Sequence, residues 1–180
     1  STLATSSAAS DVYKRQVHLD ILRRIQVETG GFTEFVPLSF VHYDSPLYLE
    51  SPSLVRAGAT DNEIELMHAV ARIVLHGFID NIQVSWTKLG AEKARNLLSM
   101  GVNDLGGTLM NESISRAAGS KNGQEITETE MVEIIRSASK IPIKRDTLYR
   151  KLKSYDIEVS VVGHDPLVSR NGSNPLSFLN

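Results

Sequence analysis

The stretch Asn81-Ile-Gln-Val-Ser-Trp86 alternates strictly between apolar and polar side chains. This alternation predicts a β-strand whose apolar side chains share one face, while Gln83 and Ser85 share the other. Parallel strands that are covered by helices on both faces are normally apolar throughout. The polar face is therefore predicted to line a site.

Further elements flank this strand on both sides. Helical spacing of apolar residues predicts helices over residues 18–28, 61–76 and 91–100, and apolar runs predict strands over residues 35–40 and 102–108. Strands that alternate with helices indicate right-handed βαβ units and a parallel sheet. Three strands are too few to close a barrel.

The ends of the elements carry their own signals. Thr60 with Glu63 and Thr127 with Glu130 each form a capping-box pattern at the start of a helix. A long loop over residues 42–60 is typical of a functional or a disordered segment. A short helix is expected over residues 111–118, and a further strand over residues 157–162.

These patterns divide the chain into three parts. Residues 1–16 are rich in Ser, Ala and Thr, and part of them resembles translated adapter sequence. They are predicted to be a non-native or disordered leader, because they lack the amphipathic stripe of a targeting peptide. Residues 17–150 form the predicted domain, and residues 151–180 a C-terminal tail.

The composition excludes several classes of function. The chain has 180 residues, 41% of them hydrophobic, and a formal net charge of −2, which gives no electrostatic case for a nucleic acid or an anionic membrane as partner. Apolar runs do not approach the roughly 20 residues of a membrane span, and a cytoplasmic location is expected. The chain has no cysteine, and the spacing of His68 and His76 does not fit a helical metal pair, so no metal site is predicted.

Four blocks of sequence point to a family. They are Gly30-Gly-Phe-Thr-Glu-Phe-Val-Pro-Leu-Ser-Phe-Val-His42, Met67-His-Ala-Val-Ala-Arg-Ile73, Asn81-Ile-Gln-Val-Ser-Trp-Thr-Lys-Leu-Gly90 and Gly101-Val-Asn-Asp-Leu-Gly-Gly-Thr-Leu-Met-Asn-Glu-Ser-Ile-Ser-Arg-Ala-Ala-Gly119. In order and spacing they resemble the FO synthases, the radical-SAM enzymes that form the deazaflavin chromophore. The match is to the tyrosine-using subunit, or to the C-terminal half of the fused two-domain form.

The resemblance implies a fold and a reaction. The fold would be α/β, the C-terminal part of a (β/α)8 TIM-type barrel, about strands six to eight, left incomplete by a missing N-terminal barrel half. The reaction would transfer a 4-hydroxybenzyl fragment from L-tyrosine to 5-amino-6-(D-ribitylamino)uracil. S-adenosylmethionine and a 4Fe–4S cluster would serve as cofactors in the full-length protein, and a ring-closing FO synthase subunit or domain would be a partner.

The chain departs from the family pattern in three places. The cluster-binding Cys-x3-Cys-x2-Cys loop is absent, so this chain alone is predicted to be inactive. Ser139-Lys-Ile-Pro-Ile-Lys-Arg-Asp-Thr-Leu-Tyr149 replaces a usual Gly-Arg-x-Pro-x-Gln-Arg-Thr-Thr-Leu-Tyr. Lys121-Asn-Gly-Gln-Glu125 stands where His-Gly-Gln-Glu is common. These changes leave Lys121 and Asp146 without an assigned role.

Three alternatives remain open at this point. One is a related radical-SAM enzyme of the futalosine route to menaquinone. Another is a non-catalytic βα binding module, which the absence of cysteine favours. The third is a barrel hydrolase that uses His42 with Glu34 or Asp104.

Barrel enzymes act at the carboxyl ends of their strands, which selects the candidate site residues. His42 is the candidate for proton transfer, although it could be an ordinary loop histidine. The candidates for binding substrate or S-adenosylmethionine are Ser39, Gln83, Ser85, Gly106, Gly107, Thr108, Asn111 and Glu112. The glycines could instead serve a tight turn, and Glu34 is interpreted as a cap of the first strand.

Overall fold

Three chain segments lie side by side at the centre of the fold. The computed structural model describes residues 8–109, 113–122 and 125–155. Phe35 pairs in parallel with Ile82, and Gln83 pairs in parallel with Asp104. We call residues 34–40, 81–86 and 102–108 the three central segments. Their parallel pairing agrees with the sequence prediction.

The predicted lengths of the three strands are wrong. Each central segment contributes isolated bridges instead of a continuous strand. Pro37 removes a backbone donor from the first segment, the second turns into a helix at Trp86, and Gly106 turns the third with a φ of 74°. These three features end the pairing soon after it begins.

Seven helices and one hairpin are found in the described ranges. The helices are α1 (Ala8–Thr29), α2 (Pro46–Glu50), α3 (Asp61–Leu75), α4 (Trp86–Leu89), α5 (Ala91–Leu97), α6 (Ile114–Ala117) and α7 (Glu128–Ser137). The strands β1 (Ile143–Arg145) and β2 (Lys151–Ser154) pair in antiparallel fashion. Among the described residues, none of the helices combines the length and the hydropathy of a membrane-spanning segment.

Helix α1 begins ten residues before the start that apolar spacing predicts. Residues 8–16, which were assigned to the leader, continue the helix, and Arg15 forms an ion pair of 3.1 Å with Glu63 on α3. Alanine, lysine, arginine and glutamine are good helix formers even without an apolar stripe, which explains the difference. Residues 1–7 lie outside the described residues, and the origin of the leader stays a prediction.

Both predicted capping boxes are confirmed. In α3 the backbone N–H of Glu63 donates to Thr60 Oγ1 at 3.3 Å, and the N–H of Thr60 donates to Glu63 Oε2 at 2.8 Å. Thr127 and Glu130 make the same exchange at the start of α7. The Arg56 guanidinium and then the Thr60 N–H hold the pKa of Glu63 well below its ordinary value.

The predicted faces of the second central segment are also confirmed. Ile82, Val84 and Trp86 are buried among α1, α3 and α5, with Leu19, Leu75 and Leu97 as further core residues. Gln83 and Ser85 are half-buried on the opposite face. The apolar face of this segment thus packs against the helices, whereas its polar face does not belong to the hydrophobic core.

Asn103 joins the second and third central segments. Its Oδ1 accepts from the Ile82 N–H at 2.8 Å and from Arg72 at 2.7 Å, and its Nδ2 donates to the Asp80 carbonyl at 3.1 Å. Arg72 also donates to the Gly101 carbonyl at 2.6 Å. One amide and one guanidinium therefore satisfy backbone groups that the short bridges leave unpaired.

Replacing Asn103 with alanine is expected to lower the free energy of unfolding by about 2–4 kcal/mol, because several backbone groups lose their partners at once. Urea unfolding of the protein measures the change. Asn62→Ala on the exposed face of α3 is the matched control and should not lower stability. Equal losses in both variants would contradict this role of Asn103.

His68 is a buried histidine with one partner. Its side chain is 1% exposed, and Nδ1 donates to the Ile64 carbonyl at 2.7 Å. Its Nε2 has no hydrogen-bond partner among the described residues. Burial lowers the pKa of His68 below its ordinary value, so the ring is neutral in the folded protein near pH 7.

This burial predicts a pH dependence of stability. The unfolded histidine binds a proton as the pH falls through about 6.5, before the folded one does. The free energy of unfolding should therefore fall below pH 7, with a slope of at most about 1.4 kcal/mol per pH unit. Chemical unfolding measured from about pH 5.5 to about pH 7.5 should show a flatter pH dependence of the free energy of unfolding for His68→Leu. The exposed His76→Leu control should keep the slope of the parent, and a parent-like slope in His68→Leu would contradict the prediction.

The hairpin is an element that apolar patterning missed. Ile143 pairs with Ser154 and Lys144 with Lys153, so it crosses the boundary expected at residue 150. Most of its residues are charged or exposed. The hairpin therefore has no alternating apolar pattern from which its strands could be predicted. The strand expected over residues 157–162 and the rest of the predicted tail from residue 156 lie outside the described residues.

Candidate active site

An open cleft lies between the three central segments and the hairpin. Its volume is about 1340 Å³. It extends from Glu34, before the first bridge, to Thr108, at the exit of the third segment. The predicted candidates Gln83, Gly106, Gly107 and Thr108 all line it. The structure therefore brings together four of the residues that the sequence selected.

Gly106 and Gln83 form the floor of the cleft. Gly106 has a φ of 74°, and a Cβ atom built on it would lie 2.8 Å from Gln83 Nε2. Only glycine allows this backbone conformation and this close approach. The Gln83 amide lines the cleft and makes no hydrogen bond to another described residue.

The loop that carries the glycines is fixed from two sides. The Gly106 N–H donates to Asp104 Oδ1 at 2.8 Å, and the buried Trp86 indole donates to the Gly107 carbonyl at 3.2 Å. Because both anchors belong to the central segments, the loop is held in place before any ligand binds. Such preorganisation is what a binding site requires.

Asp104 is the centre of a polar cluster in the cleft wall. Its side chain is 8% exposed. Oδ2 accepts from Arg145 Nε at 3.0 Å and from the Tyr149 hydroxyl at 2.7 Å, and Arg145 Nη2 contacts the same oxygen. The Arg145 guanidinium also lies over the Tyr149 ring, 3.9 Å from its centroid. Four donor atoms from three residues therefore share one buried carboxylate, counting the Gly106 N–H.

Glu34 completes this cluster. Its Oε2 is in hydrogen-bond contact with the Tyr149 hydroxyl and lies 3.9 Å from Arg145 Nη2. The interpretation of Glu34 as a strand cap does not fit this contact with the hairpin. Burial, followed by the hydrogen bonds to Glu34 and Asp104, raises the pKa of the Tyr149 phenol above its ordinary value. The phenol is thus neutral over the physiological range.

Tyr149 is presented by a three-residue hairpin loop. Its N–H donates to the Asp146 carbonyl at 3.1 Å, and its φ is 61°, a left-handed conformation that usually belongs to glycine. The Asp146 carboxylate accepts from the N–H groups of Leu148 and Arg150, each at 2.9 Å. Asp146, which the sequence left without a role, therefore shapes this loop. Backbone strain of this kind is often retained at functional sites.

Other predicted site residues lie away from the cleft. Ser39 lines a second cavity of about 440 Å³, and the Ser85 and Thr87 hydroxyl oxygens lie 3.1 Å apart. His42 Nδ1 accepts from the Gly58 N–H at 3.1 Å, and its ring packs against two tyrosines. His42 makes no contact with Glu34 or Asp104 within the described part of the chain, so the pairing proposed for a hydrolase is not formed there.

The short helix after the glycines differs from its prediction. It begins at Ile114 instead of residue 111. Asn111 and Glu112 lie outside the described residues, so their proposed roles stay predictions. Lys88, at the same edge, donates to the buried Ser115 hydroxyl at 3.2 Å.

The sequence did not select Glu34, Asp104, Arg145 and Tyr149 as one cluster. Arg145 and Tyr149 stood in the quoted motif over residues 139–149 but had no assigned partner. Asp104 was considered only for a hydrolase. The signal that could have found them is the polar face of the central segments, which needs charged partners from elsewhere in the chain.

The described residues contain no group of three or more potential metal ligands. The chain also has no cysteine. This part of the molecule therefore offers hydrogen bonds, a guanidinium and carboxylates to a ligand, and it holds no ligands for an iron–sulfur cluster.

The cleft is a polar site beside three segments joined by parallel bridges, with an antiparallel hairpin as one wall. Residues 29–157 match the family model described as the CofH/MqnC C-terminal region. The match includes every cleft residue discussed above, from Glu34 to Tyr149. The chain belongs to this family.

Curated relatives show which proteins this region is similar to. The chain is 47% identical over 139 residues to the 5-amino-6-(D-ribitylamino)uracil--L-tyrosine 4-hydroxyphenyl transferase of Methanothermobacter thermautotrophicus, covering 77% of the chain and 37% of the relative. For the transferase of the same name from Methanopyrus kandleri, the identity is 51% over 138 residues, with coverage of 77% and 37%.

A longer relative shows the same similarity. The chain is 52% identical over 132 residues to the FO synthase of Mycobacterium leprae, covering 73% of the chain and 15% of the relative. The chain thus spans well under half the length of these relatives. The resemblance to FO synthases is confirmed.

Proposed function

We propose that this chain is the C-terminal part of a cytoplasmic radical-SAM transferase of deazaflavin (FO) synthesis. The full-length enzyme would transfer a 4-hydroxybenzyl (hydroxyphenyl) fragment from L-tyrosine to 5-amino-6-(D-ribitylamino)uracil. The proposal includes the fold: the three central segments would be about strands six to eight of a (β/α)8 barrel. The remaining strands would come from an N-terminal half.

One observation carries this proposal. Relatives that bear the transferase name are about half identical to the chain over the residues that build the cleft. The names of the relatives indicate a reaction, but they do not say where in this chain a substrate would bind. The cleft supplies such a place, because its residues fall within the matched region and the Gln83 amide makes no hydrogen bond to another described residue.

The cofactors of the proposed enzyme would be held elsewhere. S-adenosylmethionine and a 4Fe–4S cluster would supply the radical chemistry in the full-length protein. The donor groups of this chain do not fit a cluster, because cysteine is absent from the sequence. We therefore expect the isolated chain to be inactive and to contribute to substrate binding only.

The cleft suits a uracil with a polyhydroxylated side chain. Gln83 offers an amide N–H and carbonyl in one plane, which can bind the edge of a uracil ring. The Gly106–Gly107 backbone lets such a ring approach closely. The ordered wall formed by Asp104 and Arg145 would hold the substrate rigidly, which reactive intermediates demand.

A futalosine-route enzyme is the second candidate. The family description covers both CofH and MqnC, and this observation keeps the menaquinone branch open. The relatives compared above bear the names of the deazaflavin branch, which favours the transferase. A binding module without catalysis is the remaining alternative, and it predicts no turnover in any full-length form.

The decisive experiment uses the full-length protein with a reconstituted cluster. It is given S-adenosylmethionine, ring-labelled tyrosine and 5-amino-6-(D-ribitylamino)uracil, and the products are identified by mass spectrometry. The proposal expects a labelled adduct of the two substrates. Failure to form it, under conditions where the Methanothermobacter enzyme forms it, would overturn the proposal.

Gln83→Leu provides a variant for the same assay. We expect a higher KM for the uracil, by roughly tenfold, because one or two hydrogen bonds to a neutral ligand are lost. Gln16→Leu, on the exposed side of α1, is the matched control and should leave KM unchanged. Equal KM values in the two variants would remove Gln83 from the site.

A further inference from the structure

Three oxygen-bearing side chains form a row along the wall of the cleft. The Glu34 side chain is 38% exposed, whereas that of Asp104 is 8% exposed. The Tyr149 hydroxyl stands between them and contacts one oxygen of each carboxyl group. The row therefore links a solvent-facing acid to a buried one through a single phenol.

The Tyr149 phenol makes two hydrogen-bond contacts in this row but carries only one proton. A phenol carries one proton, so it can donate to only one of the two carboxyl oxygens. The second contact then requires a proton on the other side. With Arg145 as the only cation bound to Asp104 in the described ranges, one added proton also makes the cluster electrically neutral. This proton belongs to the cluster as a whole.

We propose that Glu34, Tyr149 and Asp104 form a proton relay between solvent and the cleft. The inference rests on the proposed function, because it serves the proton exchange of substrates bound beside Gln83 and Gly106. Asp104 would be the inner group that faces the cleft. Tyr149 and Glu34 would act through it.

Each proton transfer along the row leaves the Tyr149 phenol neutral. A protonated Glu34 gives its proton to the Tyr149 oxygen, while the hydroxyl proton of Tyr149 passes to Asp104. Glu34 then takes a proton from water, and the reverse sequence discharges a proton to solvent. A concerted exchange of this kind is compatible with the raised pKa of the Tyr149 phenol, since tyrosinate never forms.

The surrounding charges hold the row in place. Arg145 binds Asp104 and lies over the Tyr149 ring, so it fixes both members at once. Lys151 is its cross-strand neighbour on the hairpin. The other charges of the hairpin have partners away from the row. Lys144 pairs with Glu128, Arg150 pairs with Asp146, and Lys153 lies over the Tyr155 ring.

The first test compares two tyrosines of the same hairpin region in the full-length enzyme. Tyr149→Phe keeps the ring but cuts the row, and we expect kcat to fall roughly 100-fold. Tyr155→Phe is the matched control, because the Tyr155 hydroxyl contacts Glu128 outside the row. Its kcat should stay within about twofold of the parent. Equal kcat values in the two variants would overturn the relay.

Chemical rescue separates a relay from a structural role. Glu34→Ala should lose turnover, and added acetate should restore it in a saturable manner, because the exposed position admits a small acid. A structural contact would not be restored by free acetate. Full activity of Glu34→Ala without acetate, or a loss that acetate does not repair, would each contradict the proposal.

An infrared measurement tests the relay without turnover. At neutral pH the parent and Tyr155→Phe should show the carbonyl band of a protonated carboxyl group, shifted in heavy water, and Glu34→Gln should lack it. Absence of the band from the parent would overturn the inference. A parent that makes no adduct yet shows the band would instead count against the proposed function alone.

Discussion

Gly106→Ala is expected to reduce kcat/KM of the full-length enzyme by roughly 100-fold, equivalent to about 2.7 kcal/mol. A left-handed φ of 74° disfavours any side chain, and the new Cβ would lie 2.8 Å from Gln83 Nε2. The loop or the amide must move, and the proposed uracil site moves with it. Steady-state kinetics with the uracil as the varied substrate measures the effect.

Gly77→Ala is the matched control outside the cleft. Gly77 has a φ of 76°, and a Cβ atom built on it meets no atom within 4 Å. This variant therefore adds similar backbone strain but is not part of the cleft lining, and it should keep kcat/KM within about twofold of the parent. Equal losses at both glycines would contradict a specific role of the Gly106–Gln83 contact.

Asp104→Asn is expected to lower the free energy of unfolding by about 2–4 kcal/mol. The substitution keeps the shape of the side chain but removes the charge that balances the Arg145 guanidinium. Arg145 is 24% exposed and Glu34 lies 3.9 Å from it, so solvent and Glu34 recover part of the loss. Urea unfolding of the full-length protein measures the change.

Asp61→Asn is the matched control for this loss of charge. Asp61 pairs with Lys93 at 3.2 Å but is 78% exposed. Exposed pairs contribute little, so the change should stay within about 0.5 kcal/mol. If Asp104→Asn were equally mild, Asp104 would not organise the cleft wall, and the relay would lose its inner group.

Local patterns in the sequence were sufficient for part of the molecule. The two capping boxes act within four residues, and the alternation over residues 81–86 acts within six, so both could be read directly and both are confirmed. Gly106 was selected for its conformational freedom, which is a property of the residue itself. Such features need no knowledge of distant contacts.

The cleft wall depends on contacts between distant parts of the chain. Tyr149 reaches Glu34 and Asp104 across separations of 115 and 45 residues, and no local period records such a contact. The hairpin is built mainly from charged residues, so its pairing leaves no apolar pattern. His42 and Ser39 do not line the cleft. The first central segment pairs only at Phe35, so no continuous strand over residues 35–40 places Ser39 beside Gln83.

The most direct test of this account is a crystal structure of the full-length protein with 5-amino-6-(D-ribitylamino)uracil bound. The account predicts density for the uracil ring in the cleft, hydrogen-bonded to the Gln83 amide and packed on the Gly106–Gly107 backbone. Density for the uracil in the second cavity beside Ser39, with the Gln83 amide free of ligand, would contradict it.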